Sequence, residues 1–189
     1  MARNRFKSDK GEMWLTVPVM KRGRGKQVIR EVEICDESNW PFKHVQGLRH
    51  QYARAPFRDD FLPAVESILT QNHTRLADLN LDLIRLLCSA LGIRSRLVLQ
   101  SELEIVGAGT DLLVSICQAL KADEYVALPS AARYLDVRKF ETNGISVGLR
   151  HFRPRAYPQL WGDFRYNLSA LDLLLNCGPK SLEIIARSI

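Results

Sequence analysis

The sequence contains no C-x-x-C pair. Its four cysteines, Cys35, Cys88, Cys117 and Cys177, stand far apart, which excludes a disulfide framework or a zinc ribbon and implies reduced, mostly buried thiols. No uncharged run reaches the roughly 20 residues of a membrane span. The start, Met1-Ala-Arg-Asn-Arg-Phe-Lys, lacks the apolar stretch of a secretory leader, so a cytoplasmic protein is expected. G-x-S-x-G, H-E-x-x-H, Walker A and the zinc-deaminase signature are all missing. The four histidines, His44, His50, His73 and His151, have no metal spacing, so they read as solvated or core residues and no metal site is expected.

What is present is an ordinary globular balance, 46% hydrophobic and 25% charged over 189 residues, which suits a single domain over 1–189 with a real core. The net charge of +6 is unevenly placed. Residues 1–58 hold 13 Lys and Arg against 6 Asp and Glu, and the remainder 14 against 15. An N-terminal basic excess suits nucleic acid, anionic lipid or a phosphorylated small molecule. Nucleic acid ranks last of these, because the cations are not interleaved with stacking aromatics and no recognition module appears.

Met13 to Val19 and Val28 to Cys35 read as two strands joined by a basic loop, an N-terminal basic strand pair. Helical spacing runs from Trp40 to Arg54, then over 59–71 and 74–91, with Pro56 as a stop and Gly92 as a C-cap. Strands are then expected at Arg96–Leu99, Glu124–Leu128 and Ile145–Phe152, alternating with helices at Thr110–Leu120 and Arg133–Glu141. Single helices between strands imply parallel pairing. Short helices at Leu168–Asn176 and Lys180–Ser188, split by Cys-Gly-Pro, close the chain. The expected class is α/β, a three-layer fold with a mostly parallel sheet and flanking helices.

Gly23-Arg-Gly25-Lys26 reads as a basic turn rather than a phosphate loop, since Gln27 stands where Ser or Thr would bind magnesium. Gly107-Ala-Gly109 reads as a helix entry capped by Thr110 or Asp111. Asp78, Asp82 and Asp172 read as charged edges of amphipathic helices. The segment Tyr157-Pro-Gln-Leu-Trp-Gly-Asp-Phe-Arg-Tyr-Asn-Leu-Ser stands out, being too aromatic for a solvated loop. It either lines a pocket for a ring-shaped ligand, with Gln159, Asp163 and Asn167 supplying hydrogen bonds, or packs its rings inward with Asn167 capping the last helix.

That segment, continued through Asn-Leu-Ser-Ala-Leu-Asp-Leu-Leu-Leu-Asn-Cys-Gly-Pro-Lys-Ser-Leu at 167–182, closely resembles the C-terminal signature of the WbqC-like family. Arg3-Asn-Arg-Phe-Lys, Trp14-Leu-Thr-Val-Pro-Val and the Asp78-Leu-Asn-Leu-Asp-Leu-Ile helix follow the family's order and spacing. The family opens with a strand and a His-Gln-Pro-Asn-Tyr type turn ahead of the Arg-Asn-Arg element, so this chain is expected to lack both. The sheet edge or hydrophobic face left open in that way would either be covered in a homodimer or aggregate.

The resemblance implies a transferase of aminoacyl or glycine type, or an amide-forming enzyme, in bacterial surface polysaccharide or O-antigen biosynthesis. Its substrates would be an activated or acidic sugar and an amine or amino acid, with ATP or a nucleotide-sugar as cofactor. By analogy the fold would be nucleotidyltransferase-like. Arg3, Arg5 and Lys7 would hold anionic groups, Ser130 and Tyr134 would line the phosphate side, and Asn4, Tyr157, Gln159, Trp161, Asp163 and Asn167 the sugar side. The loop Leu128-Pro-Ser-Ala-Ala-Arg-Tyr-Leu-Asp136 keeps the family's Pro129, Ser130, Tyr134, Leu135 and Asp136. Leu128 and Ala132 stand where Gly and Lys are common, and an Ala cannot stabilise charge on a phosphate. The alternative is a non-catalytic nucleotide- or sugar-binding remnant of such an enzyme.

Overall fold

A computed structural model describes residues 2–35 and 38–188. They divide into two compact units, one of residues 2–94 with Pro154–Arg187 and one of Ser95–Arg153 with Ser188.

The first unit begins with an antiparallel hairpin, β1 (Arg3–Ser8) and β2 (Gly11–Thr16), in the register Phe6 opposite Met13 and Arg5 opposite Trp14. Side chains alternate across a sheet. One face therefore carries Asn4, Phe6, Met13 and Leu15, and the other Arg3, Arg5, Trp14 and Thr16. The apolar face packs on helices α1 (Trp40–Gln51), α2 (Arg58–Thr70), α3 (Leu76–Ala90) and α6 (Ala170–Cys177), in a core containing Phe6, Leu48, Tyr52, Leu62, Leu79 and Leu175. Gly92, at a φ of +70°, ends α3, and Ile93 N–H closes the turn on the Cys88 carbonyl at 2.8 Å. Ser169, not Asn167, caps α6, accepting from Leu171 N–H at 3.3 Å. Helix α7 (Ser181–Ala186) follows the Gly178-Pro179 break.

The second unit holds α4 (Gly109–Ala119), β3 (Glu124–Ala127), α5 (Val137–Glu141) and β4 (Ser146–Leu149), with β3 and β4 parallel. Phe140 stacks on Tyr125 at 4.9 Å between ring centres, in a core with Val114, Cys117, Leu135 and Ile145. Ala108, rather than Thr110 or Asp111, is the N-cap of α4 and makes no side-chain cap bond. Thr110 Oγ1 instead accepts from Asp136 N–H at 3.1 Å, tying α4 to the Tyr134-Leu-Asp136 loop.

Helix and strand are mixed as expected, but the described strands form two separate two-stranded sheets rather than a three-layer, mostly parallel one. The basic strand pair is also different, because β2 pairs with Arg3–Ser8 and not with Val28–Cys35. The latter run contributes isolated bridges, Val19 to Ile34 and Glu33 to Arg75, and a 3₁₀ turn at Ile29–Glu31. Its alternation is only partly used: Ile34 packs against the core, whereas Ile29 is 76% exposed. Arg96–Leu99 finds no strand partner, and Leu97 points to solvent. Along the outer edge of β1, Arg5 carbonyl accepts from Ser169 N–H at 2.9 Å, and Lys7 N–H donates to the Tyr52 hydroxyl at 3.2 Å. Those two edge groups thus bond within the chain.

Two outcomes follow. A Cβ at Gly178, where φ is +51°, would overlap the Phe57 ring, so Gly178→Ala should cost about 2–4 kcal/mol in urea denaturation. His44 lies buried edge-on to Trp40 at 5.2 Å, and burial lowers its pKa from the ordinary 6.5 against a backbone hydrogen bond with Thr16. The unfolded chain therefore binds the extra proton first. Stability should fall as pH drops from about 7 towards 5.5, and the slope should flatten in His44→Gln.

Candidate functional site

Helix α6 reads Ala-Leu-Asp-Leu-Leu-Leu-Asn-Cys, and Asp172 within it is fully buried. Burying a carboxylate costs several kcal/mol unless donors and charge offset it. Here Tyr52 Oη donates to Oδ1 at 2.6 Å, while Tyr157 Oη and Gln159 Nε2 donate to Oδ2 at 2.7 and 3.2 Å. Burial raises the Asp172 pKa, opposed by these bonds and by the charge of Lys7. Burial, with the Asp172 charge second, also raises both tyrosine pKa values, so the hydroxyls remain donors.

Lys7 is 1% exposed. Its Nζ donates to the carbonyls of Gly162, at 3.2 Å, and Asp163. Burial lowers its pKa and Asp172 opposes that shift. The 157–169 loop is further tied by Gln159, which receives Arg165 N–H at 2.9 Å and donates back to the Arg165 carbonyl at 3.0 Å. Trp161 Nε1 donates to the Gln51 carbonyl at 2.8 Å, and Gln51 in turn receives Asp9 N–H of the hairpin turn at 3.1 Å. Tyr157, Phe164 and Tyr166 meet edge to face. These contacts match the reading in which the segment packs inward, although Ser169 and not Asn167 caps α6.

A groove of about 1040 Å³ runs over the other face of the hairpin. It gathers Arg3, Asn4, Arg5 and Asn167 from the expected set, with Trp14 and Lys21 added. The Arg3 and Arg5 guanidinium carbons lie 4.6 and 5.6 Å from the Trp14 ring centre. Arg5 is fixed by Glu12 at 2.9 Å and by the Asn167 carbonyl at 3.1 Å. No described acid pairs with Arg3, which is exposed at the hairpin's open end. Lys7, Tyr157, Gln159, Trp161 and Asp163 do not line this groove. Ser130 and Tyr134 belong to the second unit, Ser130 exposed in a 3₁₀ turn and Tyr134 72% exposed just after it.

Sequence reasoning missed Trp14 and Lys21 as groove residues, and Asp172 as the centre of the buried network. An Asp inside a mostly apolar helix was the available signal, since charge on such a helix has little solvent face to occupy. Asp172→Asn replaces an acceptor facing three donors with an amide that itself donates. It should lower stability by about 2–4 kcal/mol in chemical denaturation.

Among the described residues, no group of acids, histidines and cysteines has the arrangement of a metal site, and no helix is long and apolar enough to cross a membrane. No solved structure matches the chain. "Uncharacterized protein Rv1507c" of Mycobacterium tuberculosis is 39% identical over 185 residues, covering 97% of this chain and 80% of that protein. The model of the WbqC-like protein family matches residues 1–184. The chain belongs to the WbqC-like protein family.

Proposed function

We propose that the protein is a transferase that binds a phosphorylated substrate, ATP or a nucleotide-sugar, on the outer face of the hairpin. The observation that carries this reading is the groove lined by Arg3, Arg5, Lys21 and Trp14, with Asn4 and Asn167 also in its lining. Guanidinium groups pair with phosphate in forks, an indole offers a face to a base or sugar, and amides select among hydroxyls. The reaction is the aminoacyl or glycine-type transfer, or amide formation, of bacterial surface polysaccharide or O-antigen assembly. In the amide-forming chemistry of nucleotidyltransferase-like enzymes, a carboxylate displaces pyrophosphate from ATP to give an acyl adenylate. An amine then displaces AMP and loses a proton, leaving the amide.

A second reading is binding without turnover. It is favoured by the groove's composition, since its described lining supplies cations, amides and an indole but no carboxylate, thiol or imidazole. Pyrophosphate release on adding ATP, an acidic sugar and an amine would decide for the enzyme.

Titration with ATP and with nucleotide-sugars tests the site itself. Arg3→Ala should weaken binding roughly tenfold or more, since a hydrogen bond to a charged group contributes about 1.5–3 kcal/mol. Its thermal stability should stay close to wild type because Arg3 is exposed. Equal affinity in wild type and Arg3→Ala would remove the groove from consideration.

A further inference from the structure

Beneath the hairpin, on the face opposite the groove, lies a cleft of about 380 Å³. Phe6 and Leu15 form its roof, and Leu69, Leu83 and Leu87 of α2 and α3 its floor and side. The alternation of the hairpin explains this placement, because residues opposite one another in the ladder, Asn4 with Leu15 and Phe6 with Met13, share the inward face. His44 also borders the cleft, and its lowered pKa favours the neutral ring at neutral pH. Ile84, 44% exposed, stands at the rim.

Cleft and groove meet. Ala2, Arg3, Asn4 and Val17, at the open end of the hairpin, line both. Water gains little in such walls, since it needs several polar partners, whereas a hydrocarbon chain gains from every buried methylene. An apolar cavity near 150 Å³ takes a benzene ring, so 380 Å³ has room for a chain of roughly a dozen carbons. Arg3, which no described acid neutralises, stands where such a chain would emerge.

We infer that the site takes an anionic amphiphile, an alkyl or acyl chain under the hairpin carrying a phosphate that Arg3 meets at the open end. This deepens the anion-binding reading of the groove and rests on it. The ligand's two halves are matched to the hairpin's two faces, and the shared end lets one molecule reach both.

The test is calorimetric titration with butyl, octyl and dodecyl phosphate below their micelle concentrations, with inorganic phosphate and neutral octyl glucoside for comparison. Each buried methylene favours transfer by roughly fourfold. Affinity should therefore climb at least about twofold per methylene and level off once the cleft is full. Arg3→Ala should weaken dodecyl phosphate roughly tenfold or more and leave octyl glucoside unchanged. Leu83→Trp should bring the plateau to a shorter chain. Ile84→Glu, at an exposed position that folding tolerates, should weaken dodecyl far more than butyl phosphate.

Affinity independent of chain length, with phosphate still bound and still sensitive to Arg3→Ala, would overturn the amphiphile and leave the groove reading intact. Chain-length dependence unaffected by either Leu83→Trp or Ile84→Glu would overturn it as well, by placing the chain elsewhere. Binding of octyl glucoside without any phosphate binding would overturn the groove reading and, with it, the phosphate head.

Discussion

A single buried carboxylate organises the first unit. Asp172 receives Tyr52 at the end of α1 and Tyr157 and Gln159 of the loop that precedes α6, while the nearby charge of Lys7 on β1 opposes its desolvation. The hydrogen-bond donors arrive from two parts of the chain, with separations from Asp172 of 120 residues for Tyr52 and 15 for Tyr157. Ionic burial is not in itself a source of stability, because apolar replacements can do as well. Its effect is conditional: with the carboxylate in place three donors are satisfied, and without it both tyrosine hydroxyls lose their acceptor while Gln159 keeps only the Arg165 carbonyl. The network thus specifies where hairpin, helix and loop meet more than it adds to the total.

That arrangement changes which residues are available to a ligand. Tyr157 and Gln159 point their polar atoms at Asp172, Trp161 spends its N–H on Gln51, and Lys7 spends its ammonium on two loop carbonyls. A ligand competing for these groups would have to dismantle buried hydrogen bonds, whereas Arg3, Trp14 and Asn167 line a surface groove. Asn167 is a link between the two roles. Its backbone, at a φ of +57°, presents a carbonyl to Arg5, and so the loop fixed by Asp172 also positions the groove's second guanidinium. In this way a structural network sets the geometry of one side of the groove.

The long helices were legible because their apolar residues recur at the period of a helix, as in Leu76, Leu79, Leu83 and Leu87, and because Gly92 and Gly178 mark their ends. The pairing of Glu124–Ala127 with Ser146–Leu149 was legible for a similar reason, two short β-rich runs flanking one helical stretch. Arg3–Ser8 was not, since Arg-Asn-Arg-Phe-Lys-Ser contains one apolar residue and its alternation is written in charges. The pattern misled in the opposite sense at Val28–Cys35, where Ile34 packs on the core but Val28 and Ile29 are exposed and the run makes isolated bridges in place of a strand. Among candidate residues, the segment 157–167 was conspicuous in composition, but composition cannot distinguish a ring that faces a ligand from one that faces a buried Asp. Only the three-dimensional position of Asp172 separates them, since its helix is buried on every side from Leu171 to Cys177.

The basic N-terminal segment shows why placement outweighs charge count. Arg5, Arg24, Arg49 and Arg58 are paired with Glu12, Glu33, Glu66 and Asp59, and Lys7 is buried. Those cations contribute little long-range field beyond the Debye length of about 10 Å at moderate salt. Arg3 and Lys21, by contrast, flank a concave surface with Trp14 between the strands' ends, where low-dielectric walls focus the potential of a few charges. A polyanion needs an extended row of such cations to release counterions along its length. The groove holds two or three such cations and no extended row, and the hairpin's alternation separates this polar outer face from the largely apolar inner one.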